Sequence, residues 1–366
     1  MSTKFLEPGG DSTFNVATPT TGGFWTTVTN APAIATDFVH GSHLTSIRFL
    51  PNIACLARAS SIYSNAGRFS FYIYLVALPS ATANMISFLD ATTSVRIRLT
   101  SAGVLQLWES SVQIGSDGST LSTGVWYRIS FAFTTTDTTH NRFELFVNGK
   151  SDISVTDATI TNVAITAVLL GNGNANSTFD YRTSDHYADD SSSLVDTGDI
   201  WVTAKRPVSN GTANQFTTQI GSGGSGYGSG HSPQVNERII STTNGWSLSN
   251  TTQSTEEYNI EAKNVGDIDI TNSTIVDYVG WILANVNSTA DSPVHNIIIN
   301  GASTAKTMTT TATMYTQPAG SSTYPAGTGT DIGMDAQYTT TPHLTRLFEC
   351  GIMVAYIPRG SMFSVL

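Results

Sequence analysis

Apolar and polar positions alternate along most of this chain. In RFSFYIYLVALP, residues 68–79, Phe69, Phe71, Ile73 and Leu75 share one face, while Tyr72 and Tyr74 occupy the other. In SVRIRLTSAGVLQLWESSVQIG, Val95, Ile97 and Leu99 alternate with Arg96 and Arg98. The turn Ser101-Ala102-Gly103 follows, and Val104, Leu105 and Leu107 start a return strand. In VWYRISFAFTTTDTTHNRFELFVNGKS, Tyr127, Ile129, Phe131 and Phe133 point one way, with Arg128 and Ser130 the other. Phe143, Leu145 and Val147 return after a polar tip, and Asn148-Gly149 supplies the positive φ angles of a tight reversal. NVAITAVLLG and DIWVTAKRPV, with Ile200 and Val202, add further strands. A period of two marks a strand buried on one face. Short strands joined by turn chemistry predict a two-sheet antiparallel sandwich.

Breakers divide the pattern. The first forty residues carry GGD and TPTTGG and read as an arm or lead-in over 1–40, followed by a first sandwich over 41–219. IGSGGSGYGSGHSPQ, residues 220–234, has little side-chain area to bury and reads as a linker or surface strap. A second series then fills 235–366: EEYNIEAK, DIDITNSTIVDYVGWILANV, VHNIIINGAS, KTMTTTATMYTQ and HLTRLFECGIMVAYIP. DYVGWILANV has a spacing that a short helix shares, but its Val, Ile and Trp content predicts a strand.

Composition narrows the function classes. At 366 residues the chain exceeds what one core usually holds. Charged residues are 12% of it, against about 25% in an average domain. Net charge is −10, and the 17 Lys and Arg form no cluster, so a phosphate-tracking, nucleic-acid-binding surface is not expected. No apolar run is long enough to span a membrane. The start, MSTKFLEPGG, lacks the basic-then-apolar order of a signal peptide, which predicts synthesis in the cytoplasm. Cys55 and Cys350 stand near opposite ends of the chain and read as buried thiols, not a disulfide framework.

Taken in order, Gly103 to Leu107, Trp126 to Ile129 and Leu145 to Gly149 resemble the motifs of the concanavalin-A-like, laminin-G-like jelly roll. The resemblance covers about residues 40–206 and implies that fold. A narrower one follows: Gly198, Asp199, Val202, Arg206 and Pro207 match a strand that closes laminin-G-like sandwiches in tailed-phage proteins, where a polar linker and a second β-domain come next. It implies a virion structural protein, decorating the capsid or forming part of a tail or fibre assembly. Other virion proteins would be its partners, and homo-oligomerisation is expected.

Candidate chemistry is sparse. Glycosidases related to this fold carry a Glu-x-Asp-x-x-Glu run on one strand. Glu256, Glu257 and Glu261 have the wrong order, and Glu109 and Glu144 stand alone, so no enzyme is expected. None of the seven His residues reads as standing with a second His or a Cys at ligand spacing, so zinc is not expected. Members of the fold often bind calcium through loop carboxylates. The richest acidic stretch offers Asp185, Asp189 and Asp190, with Asp196 and Asp199 beyond; the bland alternative is a solvated, turn-forming loop. Trp108, Tyr187 and Tyr227 are the candidate aromatics for contact with a host-surface glycan or a partner, against plain packing. The two function classes are thus a virion structural protein and a glycan-binding adhesion or receptor-binding module.

Overall fold

The computed structural model describes residues 3–7, 27–30, 32–52, 55–60, 65–89, 94–135, 141–157, 165–172, 178–221, 244–249, 253–266, 268–289, 294–318, 331–337 and 344–359. Among these the regular structure is entirely β. The described residues up to Val202 form one compact unit, and those from Thr203 to Arg359 form a second.

The first unit is the expected two-sheet antiparallel sandwich. Its front sheet orders β13 (Lys150–Asp157), β12 (Asn141–Val147), β11 (Trp126–Thr134), β6 (Ala66–Ala77), β15 (Asp180–Asp189), β4 (Ser46–Phe49) and β3 (Ala33–Ala35), with β1 (Thr3–Glu7) also against β15. Its back sheet orders β10 (Val112–Ile114), β9 (Leu105–Glu109), β8 (Ser94–Leu99), β7 (Ala83–Leu89), β14 (Ala167–Asn172), β5 (Cys55–Ser60) and β2 (Thr27–Thr29). All pairings are antiparallel, and from β6 onward the chain changes sheet after β6, β10, β13 and β14. The alternation explains the layering. Phe88 of the back sheet stacks on Phe131 of the front sheet at 4.4 Å, with Phe69 and Phe133 at 6.1 and 6.2 Å. Between β12 and β13, Asn148 (φ 50°) and Gly149 (φ 82°) make the predicted reversal.

The second unit is also built of two antiparallel sheets. One orders β18 (Thr218–Ile220), β19 (Gly245–Ser249), β26 (Leu344–Ile357), β21 (Thr274–Val286) and β24 (Thr313–Pro318), with β16 (Trp201–Lys205) also on β26. The other orders β17 (Pro207–Asn214), β20 (Ser254–Ile260), β25 (Asp331–Gln337), β22 (Val294–Ile299) and β23 (Ala302–Lys306). DYVGWILANV is a strand, as its composition predicted. A side chain at Gly280 of β21 would strike Ile299 and Ile332, so the bare backbone there lets the two sheets close on each other. Lys205 is fully buried, its ammonium donating to the carbonyls of Val265 (2.6 Å) and Ile268 (2.7 Å).

Two boundaries move. Residues 1–40 are not all lead-in, since β1 and β3 extend the front sheet and β2 the back. The first sandwich does not run to residue 219: the division falls between Val202 and Thr203, and Pro207–Asn214 pairs with β20 in the second unit. The Gly/Ser tract pointed to residue 220 by composition, but hydrogen-bonding partners decide where a unit begins. Residues 222–243 lie outside the described residues.

Candidate functional site

Partners across an antiparallel ladder point to the same side of a sheet. On the front sheet, Tyr72 is opposite Arg128 and Ser184, and Tyr74 is opposite Trp126 and Arg182. These residues therefore share the outer face, while Phe69, Phe71 and Ile73 face the core. Across that face runs a row of rings. Phe38 stacks on Tyr74 at 4.6 Å, Tyr74 meets Trp126 at 5.5 Å, and Trp126 meets His40 at 5.1 Å. His40 lies flat on Tyr72 at 3.7 Å and meets Trp201 at 4.5 Å. Phe38 is 44% exposed; Tyr72, Tyr74, Trp126 and Trp201 are half-buried.

Charged groups hold the row in place. Asp199 accepts hydrogen bonds from the Tyr72 hydroxyl and from Nε1 of Trp201, the latter at 3.1 Å. Burial and the Asp199 carboxylate push the Tyr72 phenol far above its ordinary range. Arg128 pairs with Asp196 at 2.7 Å, and Arg182 pairs with Asp180 at 2.5 Å and Asp37 at 2.9 Å.

Behind His40 lies a buried cluster. Asp185 sits at a bulge in β15, where the register slips between Ser184, opposite Tyr72, and Tyr187, opposite Ser70. Two residues there face one, and Asp185 takes the left-handed conformation (φ 54°), which Asp tolerates better than most residues. The bulge re-aims its side chain. Oδ2 of Asp185 accepts from Nδ1 of His40 at 2.8 Å; Oδ1 accepts from Nε2 of His43 at 2.8 Å and from the Val202 amide at 2.7 Å. All three side chains are buried. Burial alone would raise the Asp185 carboxyl, but the two imidazoles outweigh it and hold it well below the usual carboxylate range. A tight turn presents both imidazoles, with the His43 amide donating to the His40 carbonyl at 3.1 Å. Gly41 between them has φ 54°, and a side chain there would run into the Trp201 ring.

The residues singled out from sequence fare unequally. Asp185 and Asp189 lie on a strand, not in a loop. They do not form one oxygen cage: Asp185 is taken up by two imidazoles, Asp189 is paired bidentately with Arg68 (2.6 and 3.0 Å), and Asp190 follows the strand end, half-buried. Trp108 is half-buried on the back sheet beneath the Arg98 guanidinium, 4.3 Å from its centroid. Tyr187 is fully buried and offers nothing to a ligand. Tyr227 lies outside the described residues. The expectation that no His stands with another at ligand spacing is corrected: His40 and His43 meet on one carboxylate. The spacing His40-Gly41-Ser42-His43 was the available signal, and it fell inside a segment without strand periodicity. The outer-face Tyr72 and Tyr74, by contrast, were visible in the alternation.

No protein-family model matches the chain, and no curated protein does. Among solved structures it is similar to an endo-β-1,4-glucuronan lyase from the fungus Trichoderma reesei, at 12% identity and a TM-score of 0.41, over 53% of this chain and 98% of that one. It is similar to the alginate lyase AlgAT5 at 11% identity and a TM-score of 0.30, over 37% and 68% of the two chains. It is similar to the carbohydrate-binding module CBM66 from Bacillus subtilis at 10% identity and a TM-score of 0.32, over 45% and 95%. The likeness is one of fold: an all-β chain of antiparallel sheets, of the sandwich kind found in these carbohydrate-related proteins.

Proposed function

We propose that this chain is a glycan-binding protein that holds a polysaccharide on the outer face of the front sheet without cleaving it. The observation that carries the reading is the row of rings from Phe38 to Trp201, in which Phe38 is exposed and Tyr74, Trp126, Tyr72 and Trp201 stand half-buried around the buried His40. A sugar ring has faces of C–H groups and an equator of hydroxyls. Aromatic faces bury the first, and polar groups at the rim pair with the second. Asp37, Asp196 and Asp199 supply that rim, with the buried Arg182 and Arg128 holding the first two in place from behind. Each of these carboxylates is already engaged by a guanidinium, a phenol or an indole, which suits orientation better than proton transfer.

Replacing Trp126 with alanine is expected to weaken polysaccharide binding about tenfold or more, a loss of roughly 1.4 kcal/mol. Affinity electrophoresis in gels containing the polysaccharides that score on a glycan array measures this, with circular dichroism checking the fold. Silence of the array across neutral and acidic glycans sinks the reading. Unchanged affinity in Trp126→Ala places any glycan elsewhere.

A second reading concerns where the protein works: a tailed-phage particle, as a capsid decoration or as part of a tail or fibre, assembled with other virion proteins. It rests on the resemblance of Gly198, Asp199, Val202, Arg206 and Pro207 to a strand of such proteins. These positions have structural work here. Asp199 anchors Tyr72 and Trp201, the Val202 amide donates to Asp185, and the Arg206 carbonyl accepts from Glu261. Immunogold imaging of purified particles tests this reading, and absence of label from both head and tail ends it.

A further inference from the structure

We propose that His40, His43 and Asp185 form a binding site for a divalent transition-metal ion. Among the described residues these three are the group of His, Cys, Asp or Glu whose ligand atoms converge, all lying within 4.8 Å of one another. Nδ1 of His40 and Nε2 of His43 each stand 2.8 Å from a carboxylate oxygen. A separation near 2.9 Å is about what two neighbouring ligands at right angles around an ion would show, with metal–ligand bonds of about 2.0–2.1 Å. The donors are thus gathered at ligand spacing before any ion arrives.

Charge points the same way. A buried carboxylate needs a compensating cation. Asp189, Asp180 and Asp196 each have a guanidinium within 2.7 Å. The partners of Asp185 are instead two imidazoles and an amide. A second carboxylate, Asp199, stands close by on the Tyr72 hydroxyl. An ion carrying two positive charges suits this pocket.

The donor set selects the class of ion. Two imidazole nitrogens and one carboxylate favour zinc, cobalt, iron or nickel. Calcium and magnesium take oxygen ligands and are disfavoured. On binding, the proton on each coordinating nitrogen moves to the other ring nitrogen or to solvent, so that a lone pair meets the ion. Three protein ligands leave positions open for water or for a hydroxyl of a bound molecule. The site does not depend on the glycan reading, because metal uptake is measured with no sugar present.

The test uses the full chain, stripped with a chelator and titrated with Co2+. One Co2+ per chain, visible absorption bands of a low-coordinate cobalt centre, and displacement by one equivalent of Zn2+ are expected. Asp185→Asn, or His43→Gln should the first variant not fold, is expected to weaken uptake by about a hundredfold, as much as loss of an outer-shell partner can. A stripped wild-type chain with native circular dichroism that takes up neither Co2+ nor Zn2+ overturns the proposal. So does uptake unchanged in a folded variant, or displacement of Co2+ by an equal concentration of Ca2+.

Discussion

Replacing Gly333 with alanine is expected to destabilise the protein by about 3 kcal/mol or more. Gly333 lies on β25, between β20 and β22. A methyl group there would overlap the carbonyl oxygen of Glu256 and lie 2.8 Å from Cα of Glu257, both backbone atoms of the adjacent strand. A side chain could rotate away from such a clash. A strand held in a ladder on that side cannot move without breaking hydrogen bonds. Alanine would gain roughly 0.4–1 kcal/mol by restricting the unfolded chain, too little to offset the overlap. With domains stable by about 5–15 kcal/mol, the loss is a large fraction of the total. Urea denaturation of the full chain measures it, and an unchanged midpoint would mean that β20 and β25 are spaced more widely than described above.

Replacing Phe88 with alanine is expected to destabilise the first sandwich by about 3–5 kcal/mol. Phe88 reaches from β7 to Phe131, Phe69 and Phe133, on β11 and β6 of the opposite sheet. Those strands carry Trp126, Tyr72 and Tyr74 on their other side. The loss should therefore register twice, as a lower melting temperature and as weaker polysaccharide binding at temperatures near it. Phe88→Leu keeps most of the volume and should recover both. If Phe88→Ala melts like wild type, the core is not joined through this ring.

The alternation of Phe69, Phe71 and Ile73 with Tyr72 and Tyr74 made both faces of the front sheet legible, and Asn148-Gly149 marked its hairpin. These features are local: each residue reports its own environment through its neighbours. The buried cluster is not local. His40 and His43 meet Asp185 across 145 and 142 positions of sequence. The strand that carries Asp185 reads DYRTSDHYAD, and every residue in it is buried. With polar residues on both faces and a bulge in the middle, it has no period to detect and looks like an acidic loop. The division between Val202 and Thr203 was hidden for another reason. A Gly/Ser tract is conspicuous, whereas a unit boundary inside the strand Trp201–Lys205 has no compositional mark.

The bulge at Asp185 has a further consequence. Ahead of it, even-numbered residues of β15 face outward, as Arg182 and Ser184 do; after it, the odd-numbered Asp189 is opposite the outward Arg68. Residue 185 is the one the ladder does not require. A chain lacking it could pair Ser184 with Tyr72, His186 with Phe71 and Tyr187 with Ser70 in unbroken register. In evolutionary terms, one codon separates this sandwich from a plain version that keeps its sheets and its row of rings but has no carboxylate between the two imidazoles.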